Sequence, residues 1–129
     1  MAYASFEQLK VWKRSCRLAV DVSKLLRDCK EYGIKDQMSR SAVSIASNIA
    51  EGAERGSKAE FIRFLSIAKG SAVELRTQVY IVAKLGSILP EDKIAEIVSK
   101  LKEISNMLQG LIKSQQHKRT FFLSLTLKF

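Results

Sequence analysis

The chain has 129 residues, a length typical of one domain, and its 22 Lys and Arg against 13 Asp and Glu leave a net charge of +9 at pH 7. This excess favours anionic partners, nucleic acid first and a membrane surface second, although many small cytosolic proteins are basic without binding RNA. No apolar run approaches the ~20 residues that a transmembrane helix requires. The N-terminus has neither a basic leader nor an apolar core, so we expect no signal peptide and a cytoplasmic location.

The first predicted helix begins near Ser5, whose spacing to Gln8 suits a capping box. Its apolar residues cover nearly half the circumference. Cys16 and Cys29 fall on this helix ~20 Å apart, too far for a disulfide, and two free thiols suit a reducing compartment. The remaining arc is basic and supplies the candidate phosphate contacts of this helix, which are Lys10, Arg14, Arg17 and Lys24.

A predicted helical hairpin follows the break at residues 30–33. Helix two extends to about Ala53, with mostly Ala and Ser between its larger apolar residues, so that a neighbouring backbone can approach closely. After Gly52 and Gly56, the capping box formed by Ser57 and Glu60 starts helix three. Helix three then continues to about residue 85. The turn between the two helices is only a few residues long.

This hairpin carries a family resemblance. The run Ser-Asn-Ile-Ala-Glu-Gly at 47–52, the stretch Glu-Phe-x-Arg-Phe-Leu at 60–65 and the segment Phe-Glu-x-Leu-x-Val-Trp at 6–12 resemble the 23S rRNA intervening-sequence proteins over roughly residues 5–115. Ala46 departs from the pattern, since relatives often carry proline there. The resemblance implies a small basic four-helix bundle, often oligomeric with pentamers among its members, and no enzymatic activity. It also implies a fold similar to the accessory variability determinants of diversity-generating retroelements, which bind nucleic acid and a reverse transcriptase.

Polar side chains within this segment have two interpretations. We expect them to form a partly buried network that joins helix two to helix three, because a charge that faces a core must find a partner. Ligand binding is the second interpretation. The residues of the expected structural network are Arg40, Asn48, Glu51, Arg63 and Glu74.

Three further features bear on binding. At the start of helix three, Arg55 and Lys58 flank free backbone amides that could hold a phosphate, although a capped helix with solvated charges is favoured. Lys69 and Arg76 on helix three are further candidate phosphate contacts. They interleave with a thin apolar stripe formed by Ile62, Val73 and Tyr80. This stripe is either a contact with helix one or two, a subunit interface or a base-stacking strip.

Helix four is predicted after Pro90, which suits the first helical position. It carries a heptad of apolar residues at Ile94, Ile97, Leu101, Ile104, Leu108 and Leu111, which favours near-parallel packing. The prediction is therefore an all-α, up-down-up-down four-helix bundle over residues 1–117. From 118 to 129 the apolar residues alternate, and we expect an irregular or strand-like tail. It is either a disordered or irregularly docked end, or a segment that packs on or pairs with another subunit.

No reaction chemistry is predicted. The glycines at 52 and 56 lack the spacing and the preceding strand of a phosphate-binding loop, and His117 is the only histidine, so we expect no metal, no cofactor and no enzyme. The favoured function is a homo-oligomer that binds nucleic acid, RNA ahead of DNA, by phosphate contacts. The second candidate function is an assembly adaptor for a protein, such as a reverse transcriptase or a ribosome-associated factor.

Overall fold

Four helices in a row make up the computed structural model, which describes the backbone of residues 5–127 and the side chains of residues 5–117. A 3-10 turn at Phe6–Gln8 precedes α1 (Lys10–Leu25), α2 (Tyr32–Glu54), α3 (Lys58–Leu85) and α4 (Glu91–Leu127). Neighbours in sequence pack on each other, and α4 returns to contact α1. The described part of the chain contains no strand, and the predicted all-α four-helix bundle is confirmed. None of its helices is long and apolar enough to cross a bilayer.

One hydrophobic core runs the length of the bundle and takes residues from every helix. The heptad of α4 supplies Ile97, Leu101, Ile104 and Leu108, each almost fully buried. At the next repeat the buried residue is Ile112, while Leu111 is only partly buried. A straight α-helix drifts relative to a strict seven-residue repeat, and this shift by one position follows from that drift.

The α2–α3 hairpin depends on the missing side chain of Gly52. A Cβ placed on Gly52 would lie 2.5 Å from the Cβ of Phe64, and 3.4 Å from both the Cδ1 and the backbone oxygen of Phe61. Phe61 and Phe64 are both buried, so the first turns of α3 pack the Phe61 ring and the Phe64 Cβ against the end of α2. The prediction of a close backbone approach on helix two is met at this point.

The helix starts differ in how well the sequence predicted them. Ser57 accepts a hydrogen bond from the Glu60 amide at 3.1 Å, as expected, and Gly56 turns with a φ of +84°. The capping box predicted at Ser5 is wrong, because the Ser5 hydroxyl accepts from the Glu7 amide and caps the 3-10 turn instead. Extended backbone at Leu9 then separates that turn from α1, which begins only at Lys10.

The C-terminal ends of α1 and α4 also differ from the predictions made from the sequence. Because α1 ends at Leu25, Cys29 lies in the connection to α2 rather than on the first helix; both cysteines are free thiols, as expected. The irregular or strand-like tail is wrong for residues 118–127, which continue α4 as helix. Extending a formed helix adds one hydrogen bond per residue, and no Gly or Pro follows Gly110 to end it. Residues 128–129 lie outside the described part.

Replacing Gly52 with Ala should destabilise the protein by roughly 1–3 kcal/mol, because the added methyl group meets the Cβ of Phe64 rather than a flexible side-chain end. Gly70→Ala on α3 is the matched control: its Cβ meets nothing within 4 Å, so the better helix propensity of Ala should stabilise the protein by about 0.5–1 kcal/mol. Urea denaturation measures both changes. Equal effects of the two substitutions would contradict the assigned role of Gly52.

Candidate nucleic-acid interface

Cationic side chains from two helices meet along the α1–α4 groove. Two adjoining depressions of about 400 Å³ and 210 Å³ form it, and both are lined by Leu18 and Lys100. The apolar side chains lining it include Ile97 and Ile104 of α4. Its basic residues are Lys13, Arg14, Arg17 and Lys24 from α1, with Lys93 and Lys100 from α4. Three of the predicted contacts are therefore brought together here, while Lys10 is exposed on α1 outside the groove.

Carboxylates neutralise part of this groove. Arg14 pairs with Glu103 and also donates to the sulfur of Met107 at 3.6 Å. Lys100 Nζ lies 3.0 Å from a Glu96 oxygen and 3.4 Å from an Asp21 oxygen. The hydrogen bond to Glu96 raises the pKa of Lys100, and the same bond is the main reason that the pKa of Glu96 is lowered.

Other cations of the groove form no ion pair. The side chains of Lys13, Arg17 and Lys24 are exposed, and none of them forms an ion pair with the residues whose side chains the structure describes. A phosphate that approaches the groove therefore meets three available positive charges beside others already paired.

The end of the α2–α3 hairpin, the other predicted anion site, is organised around an aromatic ring. The guanidinium groups of Arg55 and Arg63 lie 4.9 Å and 4.5 Å from the centre of the Phe64 ring. Arg55 also donates to Glu51 at 2.8 Å, which raises the pKa of Arg55; Arg63 donates to Glu60 at 2.7 Å, which lowers the pKa of Glu60. These contacts favour the capped helix start with solvated charges over a phosphate site.

Lys58, the second residue predicted at this helix start, is exposed. It forms no ion pair within the described side chains. Of the two predicted contacts in this turn, Lys58 is therefore the one whose charge is available to an anion.

The predicted polar network is divided into separate contacts. Glu51 and Arg63 belong to the hairpin end just described, and Arg40 is exposed with no hydrogen bond or ion pair to the described side chains. Elsewhere the Ser41 hydroxyl donates to Glu74 at 2.5 Å, which joins α2 to α3. Asn48 donates to the Ser44 hydroxyl, and that hydroxyl shares a 2.9 Å hydrogen bond with Ser71 of α3.

Sequence reasoning missed these serines. Ser41, Ser44 and Asn48 recur at intervals of three and four on α2, the spacing that places residues on one helix face. That spacing was the signal available for a polar contact line between α2 and α3. The charged residue Arg40 was predicted to join the network instead, but its side chain is exposed to solvent.

The stripe predicted on helix three lies beside α4, not beside helix one or two. Lys69 donates to Gln109 of α4 at 2.6 Å, and Arg76 follows two turns later, partly buried. Between and beyond them Val73 and Tyr80 are 43% and 47% exposed. A subunit interface and a base-stacking strip both require exposure of this kind.

No cluster of His, Cys, Asp and Glu capable of holding a metal occurs among the residues whose placement is described. His117 is exposed on α4. Burial raises the pKa of the Cys16 thiol, which disfavours the nucleophilic thiolate.

Comparisons with known proteins decide the family. The profile described as 23S rRNA-intervening sequence protein matches residues 7–110. The chain belongs to this family. A crystal structure described as a protein of unknown function from the S23 ribosomal protein family of Bacteroides thetaiotaomicron is 28% identical, with a TM-score of 0.75, and the match covers 80% of this chain and 98% of that one. No match is found among curated proteins.

The lowered pKa of Glu96 gives a pH prediction. In the Lys100→Gln variant the pKa of Glu96 should rise towards its ordinary value of 4.5, because the largest cause of its depression is removed. Carboxyl chemical shifts in an NMR titration measure this change. A depressed carboxylate stabilises the fold above its unfolded pKa and loses that contribution as pH falls through the folded pKa, so any difference in stability between variant and parent should vanish under acid conditions. An unchanged Glu96 pKa would contradict the assigned pairing.

Proposed function

We propose that this protein binds nucleic acid, RNA ahead of DNA, through phosphate contacts and without catalysing a reaction. The observation that carries the proposal is the convergence of cations from α1 and α4 on one groove, with Lys13, Arg17 and Lys24 unpaired by the described side chains. Neutralising phosphates releases condensed counterions, which supplies affinity with little dependence on base sequence.

The family supports RNA as the polyanion. Its description refers to an intervening sequence of 23S rRNA, and the similar crystal structure is described as a member of a ribosomal protein family. A basic protein with a net charge of +9 suits such a partner, and the proposal includes a cytoplasmic location.

Homo-oligomerisation is part of the proposal, with a pentamer implied by the family resemblance. Large apolar side chains stand exposed on several helices, including Val43 of α2 and Ile67 and Ile81 of α3. Association that covers such residues would repeat the basic groove around one particle, so that a modest affinity per subunit is multiplied on a long polyanion.

Charge reversal tests the groove. Arg17→Glu should weaken binding to a labelled RNA by about tenfold and reduce the slope of log affinity against log salt by about one. Arg40→Glu is the matched control, since it changes the net charge equally at an exposed site of α2 outside the groove, and its effect should stay within about twofold. Fluorescence anisotropy over a salt series measures both. Absence of any binding at low salt would overturn the proposed function.

Light scattering on the purified protein, with and without nuclease, tests assembly. We expect a mass of several subunits that persists after nuclease treatment, and a loss of ultraviolet absorbance near 260 nm when bound RNA is digested. A monomer under both conditions would contradict the oligomer. A second protein that stays bound after nuclease treatment would favour the adaptor instead.

A further inference from the structure

Building on the proposed function, we propose that the protein prefers single-stranded nucleic acid and that Tyr80 of α3 stacks on one of its bases. The site is the α3–α4 seam, which we define as Lys69, Val73, Arg76 and Tyr80 of α3 with Lys102 and Gln109 of α4. It is separate from the α1–α4 groove, because it lies on the opposite flank of α4.

The register of the two helices follows from one contact. Lys69 Nζ donates to Gln109 Oε1 at 2.6 Å, and α3 and α4 are antiparallel neighbours. Seven residues are two helical turns, so Arg76, seven after Lys69, lies at the same height and on the same face as Lys102, seven before Gln109. Two turns along from the hydrogen-bonded pair of Lys69 and Gln109, the equivalent positions of the two helices are therefore occupied by two cations, Arg76 and Lys102.

Two like charges at this position have no acidic neighbour to offset them. The carboxylates of Glu96 and Glu103 turn towards α1, where they pair with Lys100 and Arg14. Glu74 of α3 accepts from Ser41 of α2 on the other side. The two remaining acids of α4 lie in its first turn, before the seam begins. The seam thus has an uncompensated positive potential that a phosphate would relieve.

Tyr80 adds an exposed aromatic ring, a feature that phosphate binding alone does not require. Its side chain is 47% exposed, one turn beyond Arg76 and one turn before the exposed Lys84, so the ring lies between two cations on one helix face. Aromatic rings flanked by basic residues are the usual platform for unpaired bases, since every base offers a flat face. A duplex keeps its bases stacked on each other, and only its phosphates could contact this seam.

Fluorescence anisotropy measures the affinity of the protein for a labelled single-stranded RNA and for the same strand in a duplex. The strand has about 12 nucleotides, a length within the usual range of site sizes. Tyr80→Ala should weaken single-strand binding by about tenfold or more and leave duplex binding within twofold, while Tyr80→Phe should retain single-strand affinity because the ring is kept. Tyr32→Ala is the matched control: this tyrosine is 66% exposed at the start of α2, a helix that contributes no residue to the seam, and its removal should change neither affinity.

The outcomes separate the two proposals. If the parent protein binds neither RNA, the proposed function fails and this inference fails with it. If the parent binds but Tyr80→Ala behaves like Tyr32→Ala, or Tyr80→Phe loses as much affinity as Tyr80→Ala, only the stacking role is overturned. A lower particle mass for Tyr80→Ala in light scattering, with single-strand affinity unchanged, would assign the seam to subunit contact and overturn the inference as well.

Discussion

The rest of the bundle depends on how closely α2 and α3 approach each other at Gly52. Without a Cβ on that residue, the ring edge of Phe61 and the Cβ of Phe64 lie directly against the backbone of α2. Interiors are packed to the density of organic crystals, so an added atom at this point displaces a helix rather than a side-chain end. The serine contacts further along the hairpin, such as Ser44 with Ser71, continue the same close interface with polar groups that are small enough to fit.

With α2 and α3 joined in this way, the two candidate binding surfaces lie along α4. The helix α4 contacts α3 on one side and α1 on the other, so both candidate surfaces contain it. They differ in charge compensation. In the α1–α4 groove, acidic residues of the bundle hold Arg14 and Lys100, whereas none of the ion pairs formed by the described side chains involves a cation of the seam. Exposed pairs of this kind add little to stability, typically under about 1 kcal/mol, so their main effect is on the potential that a ligand meets.

This difference gives the two surfaces different roles in binding. The groove gathers many charges, some of which must exchange a carboxylate for a phosphate, and it has no aromatic residue among its lining side chains. The seam gathers fewer charges but offers an exposed ring. Long-range attraction of a polyanion and close recognition of an unpaired base can therefore be divided between the two flanks of one helix.

The sequence by itself determined the four helices, their order and most of their core. Apolar periodicity, the Ser57 cap and the heptad of α4 are local signals, and each of them needs only the spacing along one helix. It failed at Ser5 and beyond residue 117, where a 3-10 turn and a continuing helix satisfy the same local residues by other means. The motif at 47–52 also indicated the hairpin, although the sequence does not show why residue 52 is glycine.

Only the tertiary structure decided which faces of neighbouring helices meet and which charges pair. Arg14 and Glu103 are 89 positions apart, and no periodicity along α1 reveals that an acid of α4 will neutralise it. The contributions of Lys93, Lys100 and Lys102 were missed for the same reason, since helix four was interpreted for its apolar stripe alone. Electrostatic potential at a surface sums over all nearby charges, and that sum is fixed by packing rather than by sequence order.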